Sequence, residues 1–142
     1  MAALPDWVRS LPRSTLAGAL GMEIVELTAH RVVATMPVDD RTRQPYGLLH
    51  GGASIALAET VASLGAAGLV DRERFAVVGQ EINGNHIRAV KAGIVRATGV
   101  PLHVGRTSQV WSIEIRDEAE RLVCISRCTL AVIETRGVQA ER

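Results

Sequence analysis

The stretch that decides the fold is "GLLHGGASIALAETVASLG", which runs from Gly47 to Gly65. A histidine and two glycines come first. From Ala53 to about Val70, apolar residues then cover nearly the whole circumference of a helix. A helix that is apolar on every side is buried within a protein. We therefore expect one long central helix, with the rest of the chain built around it.

The remainder of the chain has the residue pattern of strands separated by polar turns. The predicted strands are Glu23–Leu27, Arg31–Val38, Ala76–Ala89, Gly93–Val100, Ser108–Arg116 and Leu122–Glu134. We place a turn at Pro101–Arg106, short helical pieces in residues 1–20 and a frayed tail at 135–142. Two strands, a long helix and four strands predict an α+β fold. In it, the helix packs on a largely antiparallel six-stranded sheet, and residues 1–142 form a single domain.

Composition excludes several classes of function. The chain has 142 residues, of which 47% are hydrophobic, and a net charge of +1. This balance gives no electrostatic reason to expect nucleic acid or a membrane surface as a partner. No run reaches the roughly 18 uncharged apolar residues of a membrane span, and the first residues lack the pattern of a secretory signal. We expect a cytoplasmic protein.

Cysteine and histidine spacing predicts neither a disulfide nor a metal site. Cys124 and Cys128 lie on one predicted strand, about 13 Å apart, whereas a disulfide needs less than about 7 Å. We expect both to be reduced, buried thiols. The four histidines show no metal-ligand spacing with cysteines or carboxylates: His30, His50, His86 and His103. No glycine-rich nucleotide motif is present, so no cofactor is predicted.

The central helix carries one carboxylate, Glu59, and Ser63 lies on the same face one turn later. An ionised carboxylate in an apolar setting is costly unless it is paired. One interpretation is a glutamate at the protein surface or at a subunit junction, paired with an arginine. The other is a catalytic carboxylate that faces a cleft.

The residues before the helix favour the catalytic interpretation. His50–Gly52 lies where free backbone N–H groups and the positive end of the helix dipole gather. Glycine lets a ligand approach the backbone closely, so the N–H of Gly51 could hold a carbonyl oxygen as an oxyanion hole. Gly51 and Glu59 are about 12 Å apart along the helix axis. One acyl centre could reach both if the preceding loop folds over.

Several ordered motifs extend this pattern into a family resemblance. "RTRQPYGLLHGGASIALAE" resembles the active-site segment of hotdog-fold acyl-CoA thioesterases of the phenylacetyl-CoA and 4-hydroxybenzoyl-CoA type. The likeness continues through "VVGQEINGNHIRAVKAGIVRA", "PLHVGRTSQVWSIEIRDE" and "RLVCISRCTLAV". The subgroup that looks most similar contains the 1,4-dihydroxy-2-naphthoyl-CoA thioesterases and the enterobactin proofreading thioesterases. The resemblance implies the hotdog fold.

The resemblance also implies roles for individual residues. Glu59 matches the catalytic carboxylate, which attacks the thioester or activates water, and Gly51 matches the residue whose N–H polarises the carbonyl. The remaining matches to the catalytic pocket are Gln44, His50 and Ser63. The family's CoA contacts match His86, Arg88, Ala89, His103, Gly105, Arg106 and Ser108.

The apolar pattern of the strands predicts self-association. The last strand has apolar residues on both faces, and a single helix can cover only one face of the sheet. A second subunit is expected to cover the other face. The resemblance adds that the active sites lie at subunit interfaces of a homodimer or homotetramer.

We therefore predict hydrolysis of an acyl-CoA thioester, with an aromatic or small acyl group, and no requirement for a metal. A thioesterase acting on carrier-protein-bound acyl groups is an alternative. A non-catalytic acyl-CoA binding module is another. A hotdog dehydratase is disfavoured because its Asp/His loop motif is not visible.

Overall fold

The long helix runs across one face of a single six-stranded sheet. The computed structural model describes residues 3–135, so the predicted tail at 135–142 lies outside the described residues except for Thr135. The elements are helices α1 (Asp6–Arg9) and α2 (Leu16–Ala19), strands β1 (Glu23–Leu27) and β2 (Val32–Pro37), helix α3 (Gly51–Ala67), and strands β3 (Phe75–His86), β4 (Ile94–Val104), β5 (Ser108–Arg116) and β6 (Leu122–Glu134). The strand order is β1-β2-β4-β5-β6-β3, and every neighbouring pair is antiparallel. The predicted α+β hotdog arrangement is confirmed.

The core forms where α3 lies against the sheet. Small residues on the buried side of α3 bring its backbone close to the strands. Gly65 is one of them, because a Cβ at that position would overlap the Trp111 ring. The indole N–H of Trp111 donates to the Gln109 side chain at 2.9 Å, which fixes the ring in place. Cys124 and Cys128 are free and fully buried in this layer, as predicted.

One predicted turn is wrong. Residues 101–104 continue strand β4, although Pro101 and the following polar residues indicate a turn at Pro101–Arg106. Beyond Gly99, β4 pairs only with β5, so Pro101 lies in an edge segment, where a missing N–H is tolerated. A register shift between Pro101 and His103 marks a bulge that lets the strand pass the proline.

Two surfaces of the sheet are left uncovered within the described chain. The face opposite α3 carries four large apolar side chains that are 37–45% exposed: Val78, Val100, Ile125 and Ile133. Strand β3, twelve residues long, forms one edge of the sheet. A long free edge has unpaired backbone groups that can pair with another strand.

Within residues 3–135, no helix is both long and apolar enough to cross a membrane.

Candidate active site

The first turn of α3 presents a free backbone donor. His50 is the residue before the helix, and its Nδ1 accepts a hydrogen bond from the Gly52 N–H at 2.7 Å. The neutral imidazole therefore carries its proton on Nε2. The N–H of Gly51 donates to no acceptor within residues 3–135. A free N–H at the positive end of a 17-residue helix is suited to bind a carbonyl oxygen or an anion.

Gly51 lines a cavity of about 270 Å³, which we call the Gly51 cavity. Residues from the loop before α3, from α3 itself and from the end of β3 line it, among them Gln44, Gly51, Ser54, His86 and Arg88. The His86 ring lies directly over Gly51, because a Cβ on Gly51 would come within 2.7 Å of His86 Nε2. A larger residue at position 51 would force the exposed His86 ring to shift away from the backbone.

The Gln44 side chain is oriented by its own loop. Its Oε1 accepts a hydrogen bond from the backbone N–H of Tyr46. Because the carbonyl end of the amide is engaged, the two N–H donors on Nε2 are available to the cavity. Arg88 and Ala89 lie exposed at the rim of the cavity, as does His86.

Glu59 does not line the Gly51 cavity. Its half-buried carboxylate rests against Gly79 on β3, since a Cβ at Gly79 would overlap Glu59 Oε1. Cys128 on β6 is close enough for this charge to affect the pKa of its thiol. Burial, and then the negative charges of Glu59 and Glu81, raise the pKa of the Cys128 thiol to about 11. The half-buried Ser63 follows Glu59 by one helical turn.

The remaining predicted CoA contacts form a third group at the β4–β5 connection. The His103 ring lies beside Gly105. The backbone N–H of Gly105 donates to the Ser108 carbonyl at 2.8 Å. Arg106 is exposed in this turn. Neither Arg106 nor Arg88 has a carboxylate within 4.0 Å in the described part of the chain, so both guanidinium groups are available to a phosphate.

A single chain does not bring these groups together. Gly51 contacts His86 at the end of β3, and Glu59 contacts Gly79, seven residues earlier on the same strand. Those two β3 residues are roughly 20 Å apart along the strand. Strand pairing places Ser108 beside Ala131 and Ala131 beside Val78, so the β4–β5 turn lies at the Glu59 end. The loop before α3 does not fold over to join the Gly51 and Glu59 ends.

Two residues at these places are not predicted from the sequence. Gly79 leaves the space that the Glu59 carboxylate occupies, and Ser54 lines the Gly51 cavity. Ser54 is visible in the sequence as a polar residue in an apolar helix, but Gly79 has no local signal. A larger cavity, of about 550 Å³, lies under α1 and α2 and contains none of the predicted site residues.

Comparison with known proteins identifies the family. Residues 46–124 match the family model described as the Thioesterase superfamily. The chain belongs to that superfamily. The predicted thioesterase class is thereby confirmed, and the Gly51 cavity and Glu59 both lie within the matched segment of this thioesterase.

Individual relatives extend the match over most of the thioesterase chain. It is 62% identical over 122 residues to ComA2 of Bacillus subtilis, covering 86% of this chain and 97% of that one. It is 53% identical over 119 residues to the proofreading thioesterase EntH of Cronobacter turicensis, covering 84% and 86%. Identity to the 1,4-dihydroxy-2-naphthoyl-CoA hydrolase of Escherichia coli is 44% over 126 residues, covering 89% and 92%.

Solved structures agree with the fold of this thioesterase. A variant of the Pseudomonas aeruginosa thioesterase PA1618 superposes with a TM-score of 0.89 at 35% identity, covering 94% of this chain and 96% of that one. SAV0944 of Staphylococcus aureus has been solved with a glutamate replaced by alanine, with a TM-score of 0.83, 43% identity and coverage of 84% and 99%. A second SAV0944 structure has a glutamine replaced by alanine, with a TM-score of 0.81, 44% identity and coverage of 82% and 97%.

Proposed function

We propose that this thioesterase hydrolyses an acyl-CoA thioester to a free acid and CoA. The observation that carries the proposal is the Gly51 N–H, which has no acceptor within residues 3–135, at a residue that lines a cavity with Gln44 in a chain of the thioesterase family. Two relatives support the residue assignment and the substrate. The two residues replaced in SAV0944 are fifteen positions apart, as are Gln44 and Glu59 here. The E. coli relative is named for an aromatic acyl-CoA, which favours an aromatic acyl group.

We infer that each active site combines residues of two protomers. Gly51 lies against the His86 end of edge strand β3, and Glu59 lies against Gly79, seven residues earlier. If two copies of β3 pair antiparallel about a two-fold axis near Ile82, the Gly79 end of one strand meets the His86 end of the other. Glu59 of one protomer then approaches the Gly51 cavity of its partner. An isologous interface of this kind creates two equivalent sites.

The chemistry follows from the residue types. The N–H of Gly51 and the Nε2 amide of Gln44 donate to the thioester oxygen and stabilise the negative charge that develops on it. The Glu59 carboxylate takes a proton from the attacking water, or attacks the carbonyl carbon itself to form an anhydride that water then hydrolyses. The C–S bond breaks and CoA leaves as a thiolate. Ser63, one turn after Glu59, assists the water or the intermediate. The reaction written in this way uses no metal or other cofactor.

The CoA nucleotide would bind between the two basic groups. Arg88, at the rim of the Gly51 cavity, and Arg106, in the β4–β5 turn, supply positive charge for its phosphates. In the proposed dimer, the β4–β5 turn of one protomer lies near the cavity rim of the other. The proposed CoA contacts are completed by His86, Ala89, His103, Gly105 and Ser108.

The exposed apolar face of the sheet would join two dimers into a tetramer. We propose that this protein acts in the cytoplasm.

The test is thiol release from a panel of aromatic, short-chain and medium-chain acyl-CoA substrates, with an acyl carrier protein thioester included. Highest kcat/KM for an aromatic acyl-CoA is expected. Release from the carrier-protein substrate alone would instead identify a carrier-protein thioesterase. Binding of acyl-CoA without any thiol release would identify the protein as a binding module.

Gly79→Ala is expected to lower kcat by ~10- to 10²-fold with little loss of stability. The added methyl displaces only the flexible end of Glu59, and small misplacement of a catalytic group has a large kinetic effect. Steady-state kinetics and thermal unfolding measure the two quantities. In a Glu59→Gln background, Gly79→Ala should have no further effect on kcat, because the double-mutant cycle isolates the coupling between the two positions. Additive effects would show that Gly79 acts by another route.

A further inference from the structure

Ser54 has an unusual environment for a serine in the middle of a helix. It lies in the first turns of α3, and its side chain is 1% exposed. Its Oγ has no hydrogen-bond partner within residues 3–135. A buried hydroxyl without a partner is rare in folded proteins, and one that lines a cavity suggests a ligand.

The usual partner of a helical serine is not available to Ser54. A buried serine normally donates to the carbonyl four residues earlier, which here belongs to His50. That carbonyl already accepts hydrogen bonds from the N–H groups of Ala53, at 3.0 Å, and Ser54, at 3.2 Å. The hydroxyl is therefore free to donate elsewhere.

Ser54 lines the Gly51 cavity together with Gly51 and Gln44. Side chains in an α-helix lean back toward its N-terminus, which carries the Ser54 Oγ over the turn that begins at Gly51. A volume of about 270 Å³ is too small for an entire acyl-CoA but accommodates the thioester group and its neighbouring atoms.

We propose that the Ser54 hydroxyl is a further catalytic donor, which holds the thioester oxygen beside the Gly51 N–H. This inference rests on the proposed thioester hydrolysis. When the nucleophile adds to the carbonyl carbon, the carbonyl oxygen becomes an oxyanion, which a third neutral donor stabilises until the C–S bond breaks and the carbonyl re-forms. The hydroxyl keeps its proton throughout, so the step needs no additional acid or base.

The experiment measures kcat, KM and Tm for the wild type, Ser54→Ala and Ser54→Thr, with benzoyl-CoA as the substrate. Ser54→Ala is expected to lower kcat by ~10²-fold, as expected for the loss of one oxyanion donor, with KM changed by no more than about threefold. Its Tm should be unchanged or higher, because the hydroxyl that is removed had no partner in the fold. Ser54→Thr restores a hydroxyl and should recover part of the lost kcat.

Ser126 provides a matched control. It is 2% exposed, its Oγ also has no partner in the described chain, and it does not line the Gly51 cavity. Ser126→Ala is expected to retain kcat within about twofold, because that hydroxyl does not face the thioester.

Two results would overturn the assignment of Ser54: an unchanged kcat in Ser54→Ala, with or without a raised KM, or equal losses of kcat in Ser54→Ala and Ser126→Ala. A wild type that releases thiol from no acyl-CoA would overturn the proposed function itself, and the role of Ser54 with it. Activity in the wild type with full activity in Ser54→Ala would reject the role of Ser54 alone.

Discussion

Glu59→Gln is expected to lower kcat for acyl-CoA hydrolysis by at least ~10²-fold while the protein stays folded. Glutamine has nearly the same shape as glutamate, and the half-buried Glu59 side chain makes no ion pair within residues 3–135. The substitution should therefore lower the free energy of unfolding only slightly. The reaction loses the only carboxylate of α3, whether that group acts as nucleophile or as base. Thiol release measures the rate, and circular dichroism with thermal unfolding measures the fold.

Glu73→Gln is the matched control for this substitution. Glu73 is an exposed glutamate in the turn between α3 and β3, outside the proposed site, so its replacement should leave kcat unchanged. Hydrolysis at the wild-type rate in Glu59→Gln would remove Glu59 from the mechanism. It would favour the alternative that this carboxylate is an interface or surface group.

Mixing two inactive variants is expected to restore activity if the site is shared between protomers. Gln44→Ala removes a donor from the Gly51 cavity and should lower kcat by ~10²-fold, and Glu59→Gln removes the carboxylate. A hybrid dimer has one site in which the Glu59→Gln protomer supplies Gln44 and Gly51 and the Gln44→Ala protomer supplies Glu59. Random pairing makes half of the dimers hybrid, so activity should rise to about a quarter of wild type.

The control mixture pairs Glu59→Gln with the double variant Gln44→Ala/Glu59→Gln. It forms the same hybrids, but no Glu59 is present in any site, so activity should stay at the background level. Two different affinity tags allow the hybrids to be isolated and their activity assayed directly. Isolated hybrids of the first mixture that remain inactive would show that Gln44 and Glu59 act within one chain, or that the β3 edges do not pair.

The elements of the fold were predictable because their signals are local. The apolar residues of α3 predict a buried helix whatever elements surround it. In the structure this helix begins at Gly51 and ends at Ala67. The helix starts two residues earlier than the apolar pattern does, because the His50 ring caps its first turn. The β4 strand past Pro101 was not predictable, since it depends on how far β2 extends along the sheet.

The sequence by itself determined the components of the site. It identified a glycine at a helix start, a carboxylate eight residues later on the same helix and a polar loop before them, because each depends only on residue type and helical spacing. Only the tertiary structure decided how these components are divided. The packing of α3 across the sheet places Gly51 against His86 and Glu59 against Gly79, which are seven residues apart on an edge strand. The separation of Gly51 and Glu59 depends on contacts between residues distant in sequence. Because of this separation, we propose that one chain holds two half-sites.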